Sequence, residues 1–234
     1  MRALRFHARA GGRRGVVGVP PRVAAVIPAY NEERTIANVL ATVSRCRCLD
    51  EVIVVSDGSR DGTAETARRY PCKVIELSEN RGKGAAMQAG VAATDAGVIV
   101  FLDADLLGLS EHHVADLLLP VVQEEADMTV GIFRQGRLST DLAQAITPFL
   151  SGLRAIGREH IENMADLADS RFGVEMVLTR YARRHRLRVK EVPLRGVSQV
   201  MKEEKMGFIP GFRARLRMYW EIVRQGVRGA WLWR

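Results

Sequence analysis

Short runs of apolar residues alternate along the chain with longer stretches in which apolar residues recur at helical spacing. The first run, residues 23–27, ends at Pro28, and the stretch after it places Ile36, Val39, Leu40 and Val43 on one helical face. The pattern continues with predicted strands at 52–55, 74–77, 98–102 and 128–132 and helices at 64–69, 83–94 and 111–125, with Thr63 and Ser110 as N-caps. Strands that alternate with helices predict an α/β fold in which a mostly parallel sheet is flanked by helices.

The two ends of the chain depart from this alternation. Residues 1–22 are rich in Arg, Gly and Pro and carry no period, so we expect a basic flexible arm before a domain at 23–208. Residues 209–234 predict a basic amphipathic helix, with arginines off its apolar face and two tryptophans near its end. Such a helix fits attachment to an anionic membrane surface, and it fits packing against the domain equally well.

Polar clusters follow four of the predicted strands in order: "PAYNEE", "SDGSRDGT", "SENRGKG" and "DAD". Each cluster alone is typical of an ordinary turn, but ligands of such sheets bind at the carboxyl ends of the strands, so their succession favours one site. Asp57 only accepts hydrogen bonds and could pair with the N3–H of uracil or the N1–H and amino group of guanine. Lys83 supplies a point charge that suits phosphate.

The spacing of Asp103 and Asp105 predicts a metal site. Residues two positions apart on an extended chain face the same way, so these carboxylates should converge. Two like charges held together are costly unless a cation lies between them. One or two carboxylates together with diphosphate oxygens are the usual ligands of Mg2+.

Composition narrows the partners and the compartment. The 234 residues carry a net charge of +8 and are 47% hydrophobic, which fits one large domain with an anionic partner. The three cysteines, Cys46, Cys48 and Cys72, have neither a disulfide pattern nor zinc-site spacing. With no apolar stretch long enough for a membrane span and no signal sequence, we expect a cytoplasmic protein.

The motifs "VIPAYNEE", "VVSDGSRDGT", "NRGKG" and "FLDAD", in this order, resemble the nucleotide-sugar-binding half of the family 2 glycosyltransferases of GT-A fold. The resemblance is greatest to enzymes of the dolichyl-phosphate mannose synthase and glucosyl-3-phosphoglycerate synthase types. It implies nucleotide-sugar binding by residues 23–132 and an acceptor side at 133–208. It further implies that Pro28, Ala29 and Tyr30 pack on base and ribose and that Glu32 holds the ribose. Asp57 would recognise the base, and Lys83 would stay near the nucleotide. Asp103 would face ribose or metal, and Asp105 would ligate Mg2+ or Mn2+.

The resemblance extends into the second half of the chain. Residues 151–156, "SGLRAI", are similar to a family segment at the acceptor side, which implies that Ser151 and Arg154 contact an anionic acceptor. A surface arginine on a helix is the alternative. The stretch that begins "RFGVEM" resembles the family helix on which Glu175 would act as general base, or would position an acceptor that is already a phosphate. A buried acid paired with an arginine is the alternative there, and a final strand at 188–192 follows.

Two positions depart from the family pattern. Leu107 stands where the dolichyl-phosphate enzymes usually have Gln, and Gln199 stands near the place where many relatives complete the metal site with His. Gln199 would then be a weaker metal ligand through its carbonyl oxygen, while Lys202 and Lys205 could hold the diphosphate. These departures keep open a catalytically inactive nucleotide-sugar-binding module.

The sequence thus predicts a metal-dependent glycosyltransferase that moves a hexosyl group from a UDP- or GDP-sugar to polyprenyl phosphate or a phosphorylated small molecule such as 3-phosphoglycerate. A sugar-nucleotide pyrophosphorylase is less favoured, because "PAYNEERT" lacks the glycines of its first loop. Nucleic-acid binding is disfavoured, since only 6% of the residues are aromatic. A homodimer and a peripheral contact at the inner face of the membrane are compatible with this interpretation.

Overall fold

The computed structural model describes residues 20–134, 152–162, 164, 167, 170 and 173–199. Its strands are β1 (Val23–Ala29), β2 (Glu51–Asp57), β3 (Lys73–Leu77), β4 (Val98–Phe101), β5 (Leu106–Leu107), β6 (Met128–Arg134), β7 (Arg154–Gly157), β8 (Val189–Arg195) and β9 (Ser198–Gln199). Its helices are α1 (Ile36–Val43), α2 (Thr63–Ala67), α3 (Lys83–Ala92), α4 (Glu111–Val122), α5 (Arg158–Ile161) and α6 (Val174–Arg184).

Seven strands form one sheet in the order β3-β2-β1-β4-β7-β6-β8. Strands β1 to β4 pair in parallel, as do β6 and β8, whereas β7 runs antiparallel to both β4 and β6. Parallel strands of one sheet are usually connected by a right-handed crossover, often through a helix. The predicted α/β fold with a mostly parallel sheet is confirmed.

Strand β1, in the interior of the sheet, separates two layers of the core. Its side chains alternate, so Ile27 packs with α1 and α4 on one face of the sheet, and Val26 packs with α3 and α6 on the other. Gly90 of α3 allows close contact there, because a Cβ atom at that position would lie 2.3 Å from a methyl carbon of Val26. The continuous apolar run of β1 in the sequence therefore reflects burial on both faces of the sheet.

A second, two-stranded sheet joins distant parts of the chain. In it β5 pairs antiparallel with β9, with Leu106 opposite Gln199 and Leu107 opposite Ser198. This pairing brings the segment after Asp103 beside the end of the described chain. It therefore fixes the position of Gln199 relative to the carboxyl edge of β4.

The predicted elements differ from the structure mainly at their ends. Thr63 is the first residue of α2 and not its N-cap, which is Gly62, so that prediction is wrong. Ser110 is the N-cap of α4, as predicted, and its side chain accepts a hydrogen bond from the His113 N–H. Residues 154–157 form a strand, so the alternative of a surface helix there is also wrong.

Several predictions concern residues outside the described part of the chain. Most of the predicted arm at 1–22 and the whole terminal helix at 209–234 belong to this group, as do Ser151, Lys202 and Lys205. Their proposed roles stay predictions, and so do the domain boundaries. Among the residues that the structure describes, no helix is long and apolar enough to cross a membrane.

Candidate active site

The loops after β1 and β2 are joined by hydrogen bonds. The Arg60 N–H donates to the Asn31 side-chain oxygen over 2.9 Å, and the Asn31 N–H donates to Ser59 Oγ over 3.2 Å. The Glu32 N–H donates to Thr63 Oγ1 over 2.8 Å. Asn31 has a φ of 56°, the left-handed region that Asn tolerates better than most residues. The polar residues after β1 thus tie two neighbouring loops into one wall.

The residues predicted to contact the nucleotide lie on and beside this wall. Pro28 is half-buried and Ala29 is buried at the end of β1, while Tyr30 is 44% exposed. A Glu32 side-chain oxygen accepts a hydrogen bond from Thr35 Oγ1 over 2.7 Å. An exposed aromatic ring on a fixed loop can stack on a base, so the nucleotide contacts of these residues stay predictions that the geometry permits.

Asp57, at the end of β2, holds the neighbouring loop. Its two carboxylate oxygens accept hydrogen bonds from the Arg81 N–H at 2.7 Å and the Gly82 N–H at 2.8 Å, and the residue is 3% exposed. Gly82 has a φ of 95°, which glycine adopts without the steric cost of a Cβ atom. The glycines of "NRGKG" predicted a close backbone approach, but no sequence signal predicted these hydrogen bonds to Asp57. Recognition of the base by Asp57 stays a prediction.

Lys83 begins α3 and bridges two carboxylates. Its Nζ atom lies 2.6 Å from an oxygen of Asp103 and 2.7 Å from an oxygen of Glu175. Burial opposes the charge of Lys83, but the two carboxylates outweigh this effect and raise the Lys83 pKa. The ammonium group therefore stays charged at neutral pH, and Glu175 pairs with a lysine where an arginine was the alternative considered.

Asp103 is also in contact with the second small strand. The Gln199 side-chain amide donates a hydrogen bond to the Asp103 oxygen that does not face Lys83. Asp103, the predicted ribose or metal contact, and Gln199, the predicted metal ligand, therefore lie side by side. Leu107, which stands where the resemblance implied Gln, is 39% exposed in β5.

The chain between Asp103 and Asp105 is not extended. Strand β4 ends at Phe101, and residues 104 and 105 form a turn that leads into β5. The expectation that both carboxylates face the same way on an extended chain therefore rests on a wrong premise, since a turn breaks the alternation of side chains. Asp105 is half-buried, and its metal contact stays a prediction.

Arg154 lies behind Glu175. Its guanidinium is buried and donates hydrogen bonds to the Glu175 carbonyl oxygen over 3.2 Å and to Thr179 Oγ1 over 3.0 Å. Burial lowers the Arg154 pKa to about 10, against the opposing effect of Glu175. Arg154 thus supports the first turn of α6, which carries Glu175. Its predicted contact with an acceptor is not tested by this arrangement.

Most of these residues, but not Glu175, Thr179 or Gln199, lie in a segment that matches a known family. Residues 24–173 match the sequence model of Glycosyl transferase family 2. The chain belongs to that family. The expectation of a glycosyltransferase is thereby confirmed, and a pyrophosphorylase or a nucleic-acid-binding protein receives no support.

Three relatives show how far the similarity of this family 2 glycosyltransferase extends. The uncharacterized protein MJ1222 of Methanocaldococcus jannaschii is 27% identical over 226 residues, which is 85% of this chain and 91% of that protein. The dolichyl-phosphate beta-glucosyltransferase of Drosophila melanogaster is 38% identical over 96 residues, which is 34% of this chain and 29% of that enzyme. The chain thus spans less than a third of that relative.

The third relative is a solved structure. A glucosyl-3-phosphoglycerate synthase from Mycobacterium tuberculosis, crystallised with Mn2+, UDP and glucosyl-3-phosphoglycerate, has a TM-score of 0.62 and 27% identity. The match covers 77% of this chain and 72% of that one. Together with the sheet order, it confirms the predicted GT-A fold of this glycosyltransferase.

Proposed function

We propose that this glycosyltransferase moves a hexosyl group from a UDP- or GDP-sugar to an anionic acceptor. The observation that carries the proposal is the position of Lys83 between Asp103 and Glu175. At the carboxyl edge of the sheet, where such folds bind their ligands, this lysine offsets one of two carboxylate charges, and the set of charged groups suits a diphosphate that binds together with a metal ion. The Mycobacterium tuberculosis relative was solved with UDP, which supports a nucleotide donor.

The donor would lie along the joined loops after β1 and β2. In this arrangement Tyr30 packs on the base, Glu32 holds the ribose, and Asp57 recognises the base edge at the end of β2. Hydrogen bonds between the loops hold this wall before the donor arrives, which lowers the entropy lost on binding. The same wall leaves the diphosphate next to the start of α3.

The oxygen donors of this edge fit Mg2+ or Mn2+. Asp103, Asp105 and the side-chain oxygen of Gln199 are hard ligands of the kind that these ions prefer. The described residues contain no group of three or more His, Cys, Asp or Glu side chains that could hold a metal, so diphosphate oxygens would complete the coordination. When bound, the ion stabilises the charge that develops on the departing diphosphate.

Lys83 and Glu175 would act on opposite ends of the transfer. Lys83 donates hydrogen bonds and positive charge beside the diphosphate, a contribution that is largest where water is excluded. Glu175 gives one carboxylate oxygen to Lys83, and its other oxygen accepts no hydrogen bond from any residue that the structure describes. That second oxygen could take a proton from an acceptor hydroxyl, or could position an acceptor that attacks through a phosphate.

Two acceptor classes follow from the relatives. The Mycobacterium tuberculosis structure contains a glycosylated phosphoglycerate, and the Drosophila melanogaster relative is named for a dolichyl-phosphate acceptor. Both acceptors are anionic, which agrees with the net charge of +8. A lipid-phosphate acceptor would also give the basic residues 209–234 a peripheral membrane role.

The test is detection of the glycosylated acceptor by mass spectrometry. The full chain is incubated with Mn2+, with UDP-glucose or GDP-mannose, and with either 3-phosphoglycerate or a short polyprenyl phosphate. We expect one donor and one acceptor to yield a product heavier by one hexosyl group, and Asp105→Asn to yield none. Tight nucleotide binding with no product from any pair would favour the inactive binding module.

A further inference from the structure

Gly152 lies against the ion pair of Lys83 and Asp103. A Cβ atom at Gly152 would lie 2.4 Å from the Lys83 Nζ atom and 2.6 Å from each carboxylate oxygen of Asp103. Non-bonded contacts this short do not occur, so any side chain at position 152 must displace one or both partners. The ion pair therefore occupies space that exists because residue 152 has no side chain.

Backbone strain is not the reason for glycine at this position. The φ of Gly152 lies outside the left-handed region, in contrast to Gly58, Gly82, Gly108 and Gly196. An alanine could therefore adopt the same backbone conformation. The nearest obstacles to a Cβ atom at this position are Lys83 and Asp103.

Each partner is held by a second contact. Asp103 is held on its other oxygen by the Gln199 amide, and Lys83 is held by Glu175 at 2.7 Å. The start of α3 is also fixed, because a Cβ atom at Gly84 would lie 2.0 Å from the Leu167 carbonyl oxygen. The helix cannot shift toward residue 167, so the relief that we expect is separation of the ammonium group from its carboxylates.

We propose that Gly152 is a positioning residue whose missing side chain allows Lys83 to bridge Asp103 and Glu175. The catalytic meaning of this bridge rests on the proposed function, but the steric relationship does not. Gly152 acts through Lys83 and contacts no reacting atom in this account. The glycine of "SGLRAI" thus leaves room for the ion pair. Arg154, two positions later, supports the helix that carries Glu175.

The first test measures the accessibility of the Lys83 amine in the full chain. Gly152→Ala is compared with Gly97→Ala, a control whose Cβ atom would lie 3.1 Å from a Pro21 carbon, away from the site. Each protein is treated briefly with a water-soluble acylating reagent, and labelling of Lys83 is followed by peptide mass spectrometry. We expect labelling in Gly152→Ala to be at least about tenfold faster than in the wild type, as loss of a charge-assisted contact predicts. Gly97→Ala should match the wild type.

The second test is a double-mutant cycle with Lys83→Ala. If Gly152 acts through Lys83, Gly152→Ala lowers the thermal midpoint and kcat in the wild-type background and costs far less once the ammonium group is gone. Equal losses in both backgrounds, or unchanged Lys83 labelling in a folded Gly152→Ala protein, would overturn the proposal. If Gly152→Ala fails to fold alone but folds with Lys83→Ala, the proposal holds. Failure of the proposed function would instead appear as a wild type without transfer activity, whatever the labelling shows.

Discussion

The Lys83 ammonium group lies 2.7 Å from the Glu175 carboxylate, although 92 residues separate the two in sequence. Lys83 belongs to the half of the chain predicted to bind the donor, and Glu175 belongs to the predicted acceptor side. Their contact, together with that of Lys83 and Asp103, joins both halves through one positive charge. The state of the donor side should therefore affect the carboxylate that we propose to face the acceptor.

Removal of the lysine charge tests this coupling. Lys83→Met leaves the carboxylates of Asp103 and Glu175 close together without a cation, so we expect the free energy of unfolding to fall by about 2 kcal/mol. The transfer rate should fall by about 100-fold, the range seen when one electrostatic stabiliser is lost. Thermal unfolding and initial rates are the measurements.

Two further variants act as controls for this prediction. Lys83→Arg keeps the charge and should retain more activity than Lys83→Met. The double variant Lys83→Met with Glu175→Gln removes one of the two like charges, so it should regain stability without regaining the transfer rate. Equal stability of the wild type and Lys83→Met would contradict the bridge.

Asp57→Asn tests the end of β2. An Asn side chain has one acceptor oxygen, so its NH2 group would face the N–H of either Arg81 or Gly82. We expect the Kd of the preferred nucleoside diphosphate to rise by about tenfold, measured by calorimetry. The exposed carboxylate of Asp95 provides a matched control, since Asp95→Asn should bind as the wild type does. An equal loss for ADP, whose base has no ring N–H on that edge, would assign Asp57 to the loop alone and contradict base recognition.

Arg154→Met tests the support of α6. The variant removes a buried guanidinium that bonds the Glu175 carbonyl and Thr179, so the free energy of unfolding should fall by about 3 kcal/mol. Arg154→Lys keeps a charge but lacks the planar guanidinium, whose Nη2 atom donates both bonds, and should give an intermediate loss. Urea unfolding measures both. A change within about 0.5 kcal/mol for Arg154→Met would show that the buried contacts contribute little.

The decrease of stability at low pH should depend on Asp127. Arg188 donates hydrogen bonds to this carboxylate, one of them over 2.6 Å, and thereby lowers the Asp127 pKa. A carboxyl whose pKa is lower in the folded state stabilises the fold above its unfolded pKa of about 3.9 and loses that effect as pH falls through the folded value. Urea unfolding between pH 2.5 and 5 should therefore be less pH-dependent in Asp127→Asn. Parallel curves for both proteins would contradict this account.

Much of the fold could be predicted because the spacing of apolar residues along the chain depends directly on which positions are buried. The alternation of Val26 and Ile27 between two buried faces explains why β1 reads as one apolar run. Strand β7 was harder, since "RAIG" is too short for its period to separate a strand from a helix. Its conformation comes from pairing with β4 and β6 on either side, which is tertiary information.

The sequence predicted individual site residues more readily than the contacts between them. Asp57, Lys83 and Asp103 follow successive strands, so their common edge could be predicted from the pattern. The contact of Gln199 with Asp103 spans 96 residues and depends on a pair of two-residue strands that leave no signal in the sequence. The clearance at Gly152 depends on the positions of the Lys83 and Asp103 side-chain ends, which residue spacing in the sequence does not predict.

The central claim is that this edge of the sheet transfers a sugar from a nucleotide donor. The most direct measurement is the release of nucleoside diphosphate from UDP-, GDP-, dTDP- and ADP-sugars, with Mg2+ or Mn2+ or with chelator, and with or without each acceptor. We predict release from one donor that needs the metal and increases with one acceptor. Release that is independent of both metal and acceptor would contradict the account. So would the absence of release from every donor despite tight nucleotide binding.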